Sequence, residues 1–201
     1  MKTKLILTFG LLAASFTASA AVVTMTSSPA SRVRLEGDST IHPFWSEASS
    51  FTAVLTLDAP GTAAAAVSAA VSEGKPATLR VTIPVANLKS EHSGLDKNLR
   101  KALMADKHPD IVYTLDRYQI LSGKDALRLE TWGTLTIAGK TQPEVLKASA
   151  TIVSDRFVID GEQSLLMTYF GVKPPTMMLG AVKTADKIVV KYHLVFEPAN
   201  K

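Results

Sequence analysis

The amino-acid sequence predicts an all-β fold, an eight-stranded antiparallel up-and-down barrel with a short amphipathic helix in a long connection. Three observations carry this. Eight stretches alternate apolar and polar residues with a period of two, mostly joined by short turns such as Ser122-Gly123-Lys124 and Gly139-Lys140-Thr141. One long connection, Leu88 to Pro109, spaces its leucines every four residues. Cysteine is absent, so packing and sheet hydrogen bonds must hold the fold alone. Amphipathic strands in up-and-down order remove their exposed edges by closing on themselves.

Residues 1–20 read as a secretory signal peptide. Lys2 and Lys4 precede an apolar run from Leu5 to Phe16, and Ala18-Ser19-Ala20 supplies a small-residue cleavage site. The run is too short to span a bilayer. Cleavage after Ala20 gives an exported, periplasmic product with no stable membrane insertion. Residues 21–31 are small and polar and read as a flexible lead-in, which leaves 32–201 as the barrel domain.

Within that domain Val33, Leu35, Gly37, Ser39 and Ile41 share one side of the first strand, opposite Arg32, Arg34, Glu36 and Asp38. The second alternates through Phe51, Ala53, Leu55 and Leu57, and the third through Leu79, Val81, Ile83 and Val85. Pro84 places the third strand at an edge, or costs it a ladder bond there. Ile111, Tyr113 and Leu115 keep one phase while Tyr118 and Ile120 take the other, so a bulge or bend is expected near Asp116–Arg117. The remaining strands run over Leu127–Ile137, Leu146–Ile152, 156–168 and Ile188–Phe196.

Two inserts break the rhythm. Thr62–Ser72 is Ala-rich and reads as a short structural helix capped by Thr62 and stopped by Gly74. Ser93–Met104 is amphipathic: Leu95, Leu99 and Leu103 share a face while Lys97, Arg100 and Lys101 look elsewhere, with Ser93 or Asp96 as its cap. A long ordered connection of this kind suits a lid.

Composition excludes several functions. Removing residues 1–20 takes away two lysines and no acid, leaving 20 basic and 18 acidic residues that alternate along the chain. Nucleic-acid binding needs positive charge gathered on one face and is not expected. Thiol catalysis and cysteine-ligated metals are excluded. His42, His92, His108 and His193 are scattered singly, so no metal site is expected. Asp38, Ser39 and His42 lie close in sequence, but triad members come from separate loops and no G-x-S-x-G elbow is present, so a hydrogen-bonded strand end is expected. Phe170, Met177 and Met178 flank Pro174-Pro175 in a loop expected to tuck under the barrel end.

Five segments in order carry a family resemblance: Gly37-Asp-Ser-Thr-Ile-His42-Pro-Phe-Trp45; Val81-Thr-Ile-Pro-Val-Ala-Asn-Leu88-Lys-Ser90; Leu99-Arg-Lys-Ala-Leu-Met-Ala-Asp106-Lys-His-Pro109-Asp-Ile111-Val-Tyr113; Gly133-Thr-Leu-Thr-Ile-Ala-Gly139-Lys-Thr-Gln-Pro143; and Phe170-Gly171-Val172. Together they resemble the YceI family. The resemblance implies a lipocalin-like barrel whose long cavity holds a polyisoprenoid or other amphipathic lipid, in exported proteins not known as enzymes. The chain departs from the common pattern in the Ala-rich insert at 63–70, in Met104-Ala105 and in Lys173–Met178.

The function expected is therefore a non-enzymatic periplasmic carrier for an elongated apolar ligand: a polyisoprenoid, an isoprenoid quinone or another amphipathic lipid. No cofactor is expected beyond that bound lipid. The alternative is a stress-related interaction protein with a filled barrel and no essential ligand. Phe44, Trp45, Phe51, Leu88, Leu95, Leu99, Leu103, Phe157 and Phe170 are the candidate cavity or lid residues, and Lys97, Arg100 and Lys101 a candidate head-group rim. A homodimer through the 111–137 sheet stays open.

Overall fold

The computed structural model describes residues 21–123, 126–177 and 181–199, so the signal-peptide expectation for residues 1–20 and that for Met178 lie outside the described residues. The period-two pattern becomes β1 (Ala21–Ser27), β2 (Arg32–Ser39), β3 (Phe44–Ala48), β4 (Thr52–Ala59) and β5 (Ala77–Pro84). It continues as β6 (Asp110–Ser122), β7 (Leu127–Ile137), β8 (Lys140–Val153), β9 (Arg156–Leu166), the two-residue β10 (Thr176–Met177) and β11 (Val182–Pro198). The helices are α1 (Ala64–Ser72) and α2 (Ser93–Ala102). The ring runs β1-β4-β5-β6-β7-β8-β9-β11 and back to β1, a closed antiparallel barrel of eight strands.

Residues 21–31 are not a flexible lead-in. Ala21–Ser27 is β1, which pairs with β4 along Ala21–Thr26 and with β11 along Met25–Ser27, and so closes the ring. Val23 and Met25 point into the core, where Met25 is 1% exposed. Val23 and Met25 alternate with Thr24 and Thr26 over too short a run to stand out, and closure stabilises the strand because both of its edges find partners.

Where strands are interrupted, serines mend the ladder. β1 and β2 lie end to end along β11 and part around Pro29, which has no N–H to give. There the Ser31 hydroxyl donates to the Val195 carbonyl at 3.2 Å and accepts from the Val195 N–H at 2.9 Å. The break between β3 and β4 is treated likewise: the Ala53 N–H donates to Ser27 Oγ at 2.9 Å. The upper edge of β3 is joined to the 85–90 segment by a single bridge, Glu47 with Lys89.

The bulge expected in β6 is present as a register shift between Leu115 and Arg117. Two-residue turns with both φ angles positive, at Ala138-Gly139 (50° and 78°) and Ser154-Asp155 (48° and 58°), join β7 to β8 and β8 to β9. This geometry matches the strand twist. Pro84 does not mark an edge strand, since β5 lies between β4 and β6. It sits past Thr82, where pairing with β4 stops, so the ladder bond is absent there. Ile41 keeps the phase of β2 in sequence but lies beyond its end and is exposed.

The β8–β9 pairing is incomplete. Ladder pairs run from Ala148 with Gly161 down to Val153 with Arg156, and the described residues show none joining Lys140–Lys147 to Glu162–Leu166. Above Ala148, β8 keeps only β7 and β9 keeps only β11. The two strands therefore part toward the α2 end, and Pro143 stands on this free stretch.

Each end carries a helix. α1 touches β4 on one side of the ring and β8 and β9 on the other, so it lies across the lower end. It buries Ala64, Val67, Ala70 and Val71. Its N-cap is Ala63 without a side-chain bond, not Thr62, while Gly74 (φ 70°) closes the far end as expected. The Tyr118 hydroxyl anchors that end by donating to the Lys75 carbonyl at 2.7 Å. α2 lies at the upper end. Neither Ser93 nor Asp96 caps it; its N-cap is His92, and the Asp96 carboxylate instead reaches back to accept from the Ser90 N–H (2.8 Å) and hydroxyl (2.7 Å). No helix among the described residues is long and apolar enough to cross a membrane.

Candidate ligand cavity

The alternation that closes the barrel also decides its lining. Side chains on one parity of each strand point inward, and they leave a cavity of about 240 Å³. A single water needs about 10–15 Å³ on this measure, so the interior is not filled. Its walls are mainly aliphatic, with Leu79, Val81 and Ile83 from β5 facing Ile188, Val190 and Leu194 from β11. Val71 of α1 and Tyr118 form the lower limit, and Leu95, Leu99 and Ala102 of α2 the upper.

Of the residues expected at the cavity, Phe44, Leu88, Leu95, Leu99, Leu103, Phe157 and Phe170 line it. Phe44 folds over Gly37, where a Cβ would stand 2.4 Å from the ring, so only glycine lets the phenyl lie across that strand. Leu88 follows the 3-10 turn Val85–Asn87 and is buried. Phe157 sits low in the barrel with Phe196, ring centroids 6.4 Å apart. Phe170 ends the 3-10 turn Met167–Phe170 and is 2% exposed, tucked under the barrel end as expected. That turn is held by Asp186, whose carboxylate accepts from the Thr168 hydroxyl and N–H.

Two residues do not line the cavity. Trp45 follows Phe44 on β3, and adjacent strand residues face opposite ways, so its ring lies outside under the Arg34 guanidinium at 4.3 Å. Phe51 falls in the break between β3 and β4 and packs half-buried against the core without reaching the cavity.

α2 explains the rim. Leu95, Asn98, Leu99 and Ala102 recur at the 3,4 spacing of one helix face and touch the cavity; Lys97, Arg100 and Lys101 occupy the other face and do not. Arg100 and Lys101 fall in the last turn, where cations complement the helix dipole. The charge that does hold the helix is Asp96. Burial works to raise its pKa, but the two Ser90 hydrogen bonds and the nearby Lys89 and Arg100 outweigh it and set the pKa below the ordinary carboxylate value.

Besides Asn98 of α2, polar groups enter the described lining from β6, β7, β9 and β11. The Tyr113 hydroxyl meets Thr131 Oγ1 at 3.2 Å, and its ring covers Gly133. Tyr192 crosses Gly161 and donates to the Lys147 carbonyl at 3.1 Å, satisfying a β8 acceptor that β9 no longer reaches. Gln163 Nε2 donates to Glu144 Oε2 at 3.2 Å across the parted strands. Burial raises the pKa of Glu144, against the Gln163 hydrogen bond, and burial raises those of Tyr113 and Tyr192 too. Both tyrosines are neutral donors at ordinary pH. Sequence reasoning did not single out this group, yet strand parity was the available signal: Thr131, Gln163 and Tyr192 lie in step with Leu129, Ile159 and Val190.

Ser39 and His42 form no catalytic pair. The Ser39 hydroxyl donates to the His42 backbone carbonyl at 2.8 Å, and His42 Nδ1 lies 2.9 Å from the Pro43 carbonyl. The expected hydrogen-bonded strand end is what this segment forms. Among the described residues no group of three His, Asp or Glu side chains could hold a metal.

The barrel fold is shared with known proteins. The YceI-like domain matches residues 28–196. The chain belongs to that family. Among solved structures, this YceI-like barrel resembles Burkholderia cenocepacia BcnA with a TM-score of 0.65 at 18% identity, over 84% of this chain and 98% of that one. A polyisoprenoid binding domain from Saccharophagus degradans, implicated in plant cell wall breakdown, matches with a TM-score of 0.63 at 9% identity, over 89% and 99%. The Campylobacter jejuni YceI protein matches with a TM-score of 0.50 at 23% identity, over 62% and 73%. At these identities the likeness is one of fold. Comparison with curated proteins finds no match.

Proposed function

We propose that this YceI-like chain is an exported, periplasmic carrier for an elongated apolar ligand, a polyisoprenoid, an isoprenoid quinone or another amphipathic lipid, and that it performs no catalysis. The observation that carries this reading is the unfilled interior of about 240 Å³, walled by aliphatic side chains and covered by the leucine face of α2. The Saccharophagus domain described as polyisoprenoid-binding shares the architecture and supports the ligand class. The free energy is adequate: each buried methylene contributes about 0.8 kcal/mol, so about ten contribute 8 kcal/mol. Lost positional and chain freedom offsets part of this, so micromolar affinity requires a longer chain or contacts to its head. The filled-barrel alternative predicts an interior without ligand-sized space, and the cavity weighs against it.

Native mass spectrometry of the mature protein from periplasmic extract, followed by organic extraction, tests the proposal. A stoichiometric adduct that extracts as an isoprenoid, quinone or fatty amphiphile is the expected result. A bare polypeptide that takes up none of these when offered them overturns it.

A further inference from the structure

The parted upper ends of β8 and β9 gather hydrogen-bonding groups in a way the rest of the barrel does not. Between Lys140–Lys147 and Glu162–Leu166 the ladder is missing, and side chains bridge the space instead. Gln163 reaches Glu144 at 3.2 Å. Tyr192 reaches the Lys147 carbonyl at 3.1 Å, and the Gln142 amide donates to the Tyr169 carbonyl at 2.9 Å above them. Gln163, Tyr192, Tyr113 and Thr131 also line the cavity, so the slot and the apolar interior are continuous.

A structural role alone would not need this chemistry. Two strands meant only to close a barrel are joined most simply by ladder bonds, which the lower halves of β8 and β9 make in full. Glu144 shares the parity of Leu146 and Ala148 on β8 and, half-buried beside the cavity, meets it through Gln163, which lines it. Such a group is retained against its desolvation cost only where something compensates it. Gln163 compensates part: among the described residues the amide's sole hydrogen bond is the one to Glu144, which leaves its oxygen and second N–H for another partner.

We propose that the β8–β9 slot, with Gln163 and Glu144 at its centre, holds the polar end of the bound ligand, and that this end is an uncharged hydrogen-bond donor such as an alcohol or phenol rather than an anion. The slot is rich in acceptors, the Glu144 carboxylate and the Gln163 carbonyl oxygen, so a hydroxyl satisfies it. A carboxylate or phosphate head meets the Glu144 charge at close range and is disfavoured. The tail then runs down the aliphatic interior. From Glu144 to Ala150 the β8 wall extends about 20 Å along the strand, or about 15 Å along the axis of a barrel with ordinary strand tilt. The inference rests on the carrier reading above and adds the head group to it. It also moves the head from the cationic face of α2, which the cavity does not reach, to the opposite sign of charge.

The test compares two probes with one chain and different heads, geranylgeraniol and geranylgeranoic acid, bound to the mature protein at pH 8 by calorimetry. Variants Glu144→Gln and Gln163→Leu are measured beside wild type, each with its thermal unfolding curve to confirm folding. Wild type is expected to prefer the alcohol by about tenfold or more, the worth of one charge-assisted hydrogen bond. Glu144→Gln, which keeps the shape and removes the charge, is expected to strengthen binding of the acid and close that gap. Gln163→Leu is expected to weaken the alcohol about fivefold to tenfold, the range for one hydrogen bond. Equal binding of alcohol and acid to wild type, unmoved by either variant, overturns the slot while leaving the carrier intact. Binding of neither probe to folded wild type overturns the carrier reading itself.

Discussion

Replacing Leu99 by Asp separates lid from barrel. Leu99 lies on the cavity face of α2 between Leu95 and Ala102, half-buried, with no ladder strand depending on it. Full burial of a leucine side chain is worth about 1.5–3 kcal/mol, and a half-buried one near the lower end of that range. Losing about 1.5 kcal/mol of contact to a ligand tail weakens binding about tenfold. The new carboxylate adds a desolvation cost whenever α2 closes over an apolar chain, so the loss should exceed tenfold. Retinol, whose polyene fluorescence reports an apolar site, serves as the titrant, with far-UV circular dichroism and thermal unfolding to establish that the barrel persists. If the folded variant takes up retinol within about twofold of wild type, α2 is not part of the binding surface and the reasoning fails.

Other expectations are narrower. Phe44→Ala should weaken retinol uptake while Trp45→Ala leaves it unchanged, because the two adjacent rings face opposite sides of β3; titrations of both variants check this. Ser31→Ala should cost about 1–3 kcal/mol in urea unfolding, since it orphans the buried Val195 N–H at the β1–β2 break. Gly161→Ala places a Cβ 2.2 Å from the Tyr192 hydroxyl, so that ring must leave its Lys147 partner; loss of thermal stability and a changed tyrosine spectrum are the readouts. The Ser90–Asp96 link has a defined pH sense. Asp96 has a folded pKa below 3.8, so its contribution is present above 3.8 and lost as pH falls through the folded value. Protection of the α2 amides, measured as exchange relative to the intrinsic rate at each pH, should therefore fall in acid for wild type, and Asp96→Asn should remove that dependence.

Strand parity made most of the fold legible, because the interior of a closed barrel imposes a two-residue period that few other arrangements share. Leu127, Leu129 and Ile137 are inward in the sequence pattern and buried in the barrel, and the phase change at Asp116–Arg117 is a true bulge. What escaped was whatever depends on partners remote in the chain. β1 carries only a short alternation, Val23 and Met25 against Thr24 and Thr26, and is held because β4 and β11 both offer it an edge. Trp45 looked like a cavity residue by type, but parity already excluded it once Phe44 was placed inside. The β8–β9 parting has no local signature, since its residues alternate as well as any paired strand; only Pro143 hints that a neighbour is missing. Asp96 looked like a helix cap, and the partner it serves, Ser90, lies upstream of the helix.

The placement of α1 across the lower end, between β4 and the β8–β9 pair, makes the barrel a cul-de-sac. Tyr118 fastens that floor by its hydrogen bond to Lys75, whereas the opposite mouth is covered by a helix tethered through Ser90 and Asp96. Cargo in a cul-de-sac cannot pass through; it leaves by reversing its own path, so the part that enters last departs first. If the chain carries lipid as proposed, loading and delivery share one doorway, and donor and acceptor approach the same pole of the molecule in turn rather than opposite poles at once. Traffic through such a vessel would be a shuttle's, one partner at a time, and not a conduit's.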